Sequence, residues 1–172
     1  MKTLLTHRLS QSEIMQLCAL TQGEHNDNLK EELYQLTLDA NRRVAINALW
    51  TFTHFAAADN VWLFAKHDQL IDRCLKEQDT TKLRLILSIL LRQPFEKETV
   101  RTDFIDFCLA RFTDARAPYA IRALCIKLAY EQMKYWSELL NELRQMLDLI
   151  SNEPLSPGLR SAWRQVIKKI KA

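Results

Sequence analysis

Apolar residues recur every three or four positions along almost the whole chain, the period of an α-helix with one face turned inward. The clearest stretch is 135–151, where Trp136, Leu139, Leu140, Leu143, Met146, Leu147 and Ile150 fall on one stripe. Side chains that can accept from free backbone N–H groups punctuate these runs and predict where helices begin. Ser10 followed by Glu13 fits a capping box, opening a first helix through Ile14, Leu17 and Cys18 that Gly23 ends. Leu29, Leu33 and Leu36 mark a second. Asp39 is the expected cap of a third, reaching about Ala57, and Asp59 or Asn60 that of a fourth, from Val61 to about Glu77. Asp79 is expected to cap a fifth, through Arg92 until Pro94 stops it, and a sixth runs from about Lys97 to Phe112. Asp114 is the expected cap of a seventh, to about Met133, with Pro118 tolerated in its first turn. The stripe at 135–151 is the eighth, and Ser156-Pro157 opens a ninth that takes up the rest of the chain.

These helices are of two alternating kinds. The second, fourth, sixth and eighth have one apolar stripe and an acid-rich outer face. The third and fifth are apolar nearly all round, with a thin polar stripe: Arg43, Asn47, Thr51 and His54 on one, Arg84, Ser88 and Arg92 on the other. A helix wetted along so narrow a stripe is flanked on most sides by other helices. The third helix also reappears: Val44-Ala45-Ile46-Asn47-Ala48-Leu49 aligns with Tyr119-Ala120-Ile121-Arg122-Ala123-Leu124, 75 positions later. Related positions follow one another at intervals of about 41, 34 and 39 residues, taking Arg43 to Arg84, Ile46 to Ile121 and Ala123 to Ala162. One helical hairpin per interval of that size is the signature of an α-solenoid, in which each hairpin completes its core only against its neighbour.

With Asp39 and Arg43 in one hairpin and Asp79 and Arg84 in the next, the chain resembles the HEAT-like repeat proteins, which carry an aspartate in the turn and an arginine on the second helix. The third hairpin has Asp114 but sets Arg122 out of that register, and the fourth lacks the aspartate. The resemblance covers four hairpins, at about 24–57, 58–93, 94–134 and 135–172, behind a capping helix within 1–23. It implies an all-α, single-domain, right-handed α-α superhelix with a habit of binding partners and no fixed catalytic residues.

Composition agrees with long helices and short connections. Only 2 glycines and 4 prolines occur among 172 residues, too few for the turns of a β-sandwich or for phosphate-binding loops. Cys18, Cys74, Cys108 and Cys125 lie far apart inside apolar runs, without a CxxC pair, and read as reduced buried thiols. No signal-peptide core precedes His7 and Arg8, and no run approaches the roughly 20 apolar residues of a membrane span, so a cytoplasmic location without membrane attachment is expected.

The net charge of +3 says little until it is divided among the helices. The second helices of the hairpins with their turns (39–57, 79–93, 115–134 and 155–172) hold 14 Lys/Arg against 3 acids. The first helices (24–38, 58–78, 94–114 and 135–154) hold 8 against 17. In HEAT-like stacks the second helices line the concave surface, so the resemblance implies a basic groove and an acidic outer wall. A groove of one sign attracts an oppositely charged partner. Its candidate residues are Arg43, Arg84, Arg92, Arg122, Lys127, Arg160, Arg164 and Lys168. The expected partner is an acidic protein segment; nucleic acid is the alternative, and pairing of two copies through the ends of the solenoid is a third. Against a groove role, Arg43 and Arg84 can instead pair with the turn aspartates.

Catalytic patterns are missing. The four histidines, His7, His25, His54 and His67, show neither HExxH spacing nor a cluster with cysteine, and neither metal nor cofactor is expected. His54, closing the polar stripe of the third helix, is the one candidate acid or base. HEAT-like DNA glycosylases for alkylated bases use tryptophans and an aspartate in a basic groove. Trp50 and Trp163 lie on second helices here, but acids on that face are nearly absent, and both indoles read first as packing.

Overall fold

The computed structural model describes residues 1–171, and no strand occurs among them. The chain divides into two compact units, Met1–Gln93 and Pro94 onward. The first opens with a 3-10 turn, Lys2–Leu5, followed by α1 (Gln11–Thr21), α2 (Asp27–Leu36) and α3 (Arg42–Phe52). A single turn, α4 (Ala57–Asn60), leads through a 3-10 stretch, Val61–Lys66, into α5 (His67–Lys76) and α6 (Thr80–Leu90). The second unit holds a 3-10 turn, Lys97–Thr99, then α7 (Thr102–Thr113), α8 (Tyr119–Met133), α9 (Ser137–Ile150) and α10 (Pro157–Lys171).

Three of the expected helix starts are present. The Ser10 N–H donates to Glu13 Oε2 at 2.7 Å and the Glu13 N–H to Ser10 Oγ at 3.3 Å, a complete capping box. The Ser10 N–H first, then the His7 ring and the Ser10 hydroxyl, bring the Glu13 carboxyl down to about 2. Asp79 caps α6, accepting from the Thr81 and Lys82 N–H groups at 2.9 and 3.2 Å. Ser156 Oγ accepts from the Leu159 N–H at 3.3 Å at the start of α10.

Three other starts differ, because the expected side chain is engaged elsewhere. Asn41, not Asp39, caps α3, taking the Arg43 and Val44 N–H groups at 3.0 and 3.4 Å. Asp39 pairs with Lys2 at 2.6 Å. Asp59 accepts from the Gly23 N–H at 2.7 Å and faces Lys30 at 3.5 Å, and the expected helix at 61–77 becomes an α-helix only from His67. In the tighter stretch before it, Trp62 stacks parallel to Phe52 at 6.3 Å, while the Lys66 ammonium lies over Tyr34 and Trp62 and pairs with Glu31 at 2.9 Å. Asp114 accepts from the Arg116 N–H within the turn, and α8 begins after Pro118 rather than around it.

Each unit is organised around one helix. In the first, α3 packs against the N-terminal 3-10 turn, α1, α2 and α6, burying Val44, Ala45, Ala48, Leu49 and Phe52. In the second, α8 packs against α7, α9 and α10 and buries Ile121, Cys125, Ile126, Leu128, Ala129 and Met133. Helices apolar on most sides require such company. Within the units, α2 pairs with α3, α5 with α6, α7 with α8 and α9 with α10.

Arginines close the ends of two helices. The Arg92 guanidinium donates to Thr53 O at 2.6 Å, Phe52 O at 3.4 Å and Phe55 O, at the end of α3. Arg73 donates to the Thr37 hydroxyl and carbonyl at 2.8 and 3.0 Å, at the end of α2. Arg42 reaches across to Asp79, so the cap of α6 is also one half of an ion pair.

Replacing Asp79 therefore removes two interactions. Asp79→Ala is expected to lower stability by about 1–2 kcal/mol in urea unfolding, and Asp79→Asn, which retains a capping oxygen, by less. Arg42 first, then burial in the opposite sense, sets a carboxyl held below its ordinary value. Its contribution is present above about pH 4 and fades as the pH falls through the lowered value. An acid titration of stability should be flatter in Asp79→Asn than in the parent.

Candidate binding surface

The polar stripe of α3 is closed at its centre. Asn47 is 5% exposed and Thr51 fully buried, because the N-terminal segment lies over them. The Asn47 amide donates to Leu5 O at 2.9 Å and to His7 O at 2.8 Å, gripping carbonyls at the end of the N-terminal 3-10 turn and just beyond it. Arg122, which aligns with Asn47 in the sequence repeat, does the comparable work in the second unit. It is 1% exposed, donating from Nε to Phe112 O and from Nη2 to Glu153 Oε2, both at 2.8 Å. The repeat thus preserves a buried donor aimed at the backbone of a preceding segment.

That placement revises the set of candidate cations. Arg122 presents no charge to a partner, since its guanidinium is enclosed between the end of α7 and the turn after α9. Arg92 is directed into the carbonyls of α3, and Lys127 is half-buried. Arg43 and Arg84 are exposed and form no ion pair among the described residues; the turn aspartate Asp79 is answered by Arg42 instead. The sequence reading missed Arg42 because it expected the pair one position later.

The cations that the structure groups together lie on α10. Arg160, Arg164 and Lys168 are spaced four residues apart, so they share one face. All three are exposed, without an ion pair among the described residues, on a helix that contains no acid. Arg160 makes only a long contact with Leu155 O, at 3.4 Å. The neighbouring Lys169 is occupied: it reaches Glu131 at 3.1 Å and lies 4.9 Å over the Tyr130 ring. Burial pushes the Glu131 carboxyl up, but Lys134 and Lys169 outweigh it and hold the group below its ordinary range. Arg160 and Arg164 also line a surface depression of about 230 Å³ with Ser151, Glu153, Leu155 and Trp163.

Chemistry beyond charge is sparse. All four thiols are buried and free; burial raises Cys18 to about 11, and its Sγ donates to Thr51 O at 3.3 Å. His54 lies against Thr53 Oγ1 and Trp50 O, at 3.1 Å each. No group of three or more His, Cys, Asp or Glu among the described residues is placed to hold a metal. The Trp163 indole N–H donates to Leu147 O at 2.9 Å, and Trp50 meets His54 edge to face. No helix among the described residues is long and apolar enough to cross a membrane.

With helices paired in hairpins about a central helix in each unit, the comparison with known families has a structural counterpart. The sequence matches the HEAT repeat domain family over residues 1–170, and the chain belongs to that family. Membership points to a protein-interaction scaffold. No curated protein sequence matches the chain, and no solved structure does.

Arg122 is the buried charge whose loss should be felt most. Arg122→Met removes the partner of Glu153 and the donor to Phe112 O, and should cost on the order of 2–4 kcal/mol. Glu153, a third exposed, can turn to water, so Glu153→Gln should cost less. Thermal unfolding of the two variants beside the parent checks the order.

Proposed function

We propose that the chain acts as a non-catalytic scaffold that holds an acidic protein segment against the exposed cations of α10. The observation that carries this reading is the face of α10 formed by Arg160, Arg164 and Lys168. Two turns of helix set these charges over roughly 12 Å, a span that a few residues of extended chain cover. Nothing acidic on α10 competes for them. The family's scaffold character favours a protein segment over nucleic acid as the partner.

A labelled Glu/Ser peptide of about 12 residues, and short single- and double-stranded DNA and RNA, would each be titrated at about 50 and 200 mM salt. The expected result is saturable peptide binding that weakens at least about tenfold in the variant Arg160→Glu, Arg164→Glu, Lys168→Glu. Peptide binding indifferent to that variant would remove α10 from the site. Tighter binding of DNA or RNA, with the steep salt slope of released counterions, would replace the acidic segment by nucleic acid.

A further inference from the structure

We infer that the segment held on α10 combines carboxylates with an adjacent apolar side chain, because the arginine pair stands between two depressions of different character. This rests on the reading of α10 as the binding face. On one side of Arg160 and Arg164 is the depression that includes Ser151, Glu153 and Trp163. Its one carboxylate is already answered, Glu153 being held at 2.8 Å by the buried Arg122. The two exposed guanidiniums therefore set the sign that an approaching group meets there. On the other side is a depression of about 450 Å³ bounded by Leu155, Pro157, Ser161 and Gln165. Its surface is mostly apolar, from Leu155 and Pro157 and from the alkyl stems of the two arginines.

A carboxylate engaged by the guanidinium fork positions the next side chain of the same segment over Leu155 and Pro157. A planar donor fork suits a carboxylate in two-pronged fashion, and an apolar contact beside it excludes water from that pair. A purely acidic segment would leave the second depression wet. So would a nucleic-acid strand, whose phosphates use the arginines alone. The partner chemistry that fits both is an acidic segment interrupted by a leucine-sized residue.

The test uses a Glu/Ser peptide of about 12 residues and a set of the same peptide with leucine at each serine position in turn. Against the parent protein, at least one leucine peptide should bind about tenfold more tightly than the all-polar one. Pro157→Ser, at a residue that bounds the apolar depression alone, should abolish that advantage while leaving the all-polar peptide unchanged. Ser161→Gln, on an exposed position, should reduce the advantage in the same way by placing an uncharged amide over the apolar rim. Arg160→Glu with Arg164→Glu should weaken every peptide. Equal affinity across the whole set would overturn the two-part site and leave the acidic-segment reading standing. Absence of binding by any peptide would overturn that reading as well.

Discussion

The helix at the centre of each unit is too apolar to face water, and the rest of the unit is arranged around that constraint. α3 and α8 each expose only narrow polar strips, so each must be covered by neighbours on several sides at once. For α8 the neighbours are α7, α9 and α10. For α3 they are α1, α2 and α6, together with the N-terminal turn that closes the side carrying Asn47 and Thr51. Covering a helix so fully creates its own difficulty, since polar groups along the contact lose water and must be given partners. Asn47 and Arg122 answer that difficulty by donating to backbone carbonyls. The sequence repeat that contains them is the trace of one packing problem met twice.

The same logic explains where the arginines go. A guanidinium offers five donors in a plane and suits helix ends, where several carbonyls converge without helical partners. Arg92 meets three carbonyls at the end of α3, and Arg73 the hydroxyl and carbonyl of Thr37 at the end of α2. These residues belong to the architecture, and it is the cations left over that define a surface. Arg160, Arg164 and Lys168 close no helix end among the described residues and stay exposed on α10.

Much of this was legible from residue pattern alone. The helix-forming stretches, the capping roles of Ser10, Asp79 and Ser156, and the pairing of helices into hairpins all follow from short-range chemistry. The family also became recognisable from the spacing of turn aspartates and arginines, although Arg42 rather than Arg43 engages Asp79. What short-range reasoning could not supply was competition. Asp39, Asp59 and Asp114 are each suitable caps, yet Lys2, the Gly23 N–H and the Arg116 N–H claim them first. The break at Val61–Lys66 has a similar origin, in the packing of Trp62 and Lys66 on α2 and α3. The candidate surface was harder still to foresee. Arg122 and Arg164 look alike in a charge count, and only the third dimension separates an enclosed guanidinium from an exposed one. A hint existed in "AIRALCIKLA", where a lone arginine sits within an apolar run as a buried donor would.

Arg92 shows what this arrangement means for the history of such a chain. It is encoded in one hairpin and completes the helix of the hairpin before it, so neither is a self-sufficient module. Copying or deleting a single hairpin would separate the fork of donors from the carbonyls it serves. Growth by duplication is then open only to copies that keep both halves of the clasp in step. Drift at residue 92 is constrained by residues nearly forty positions away rather than by its own neighbours.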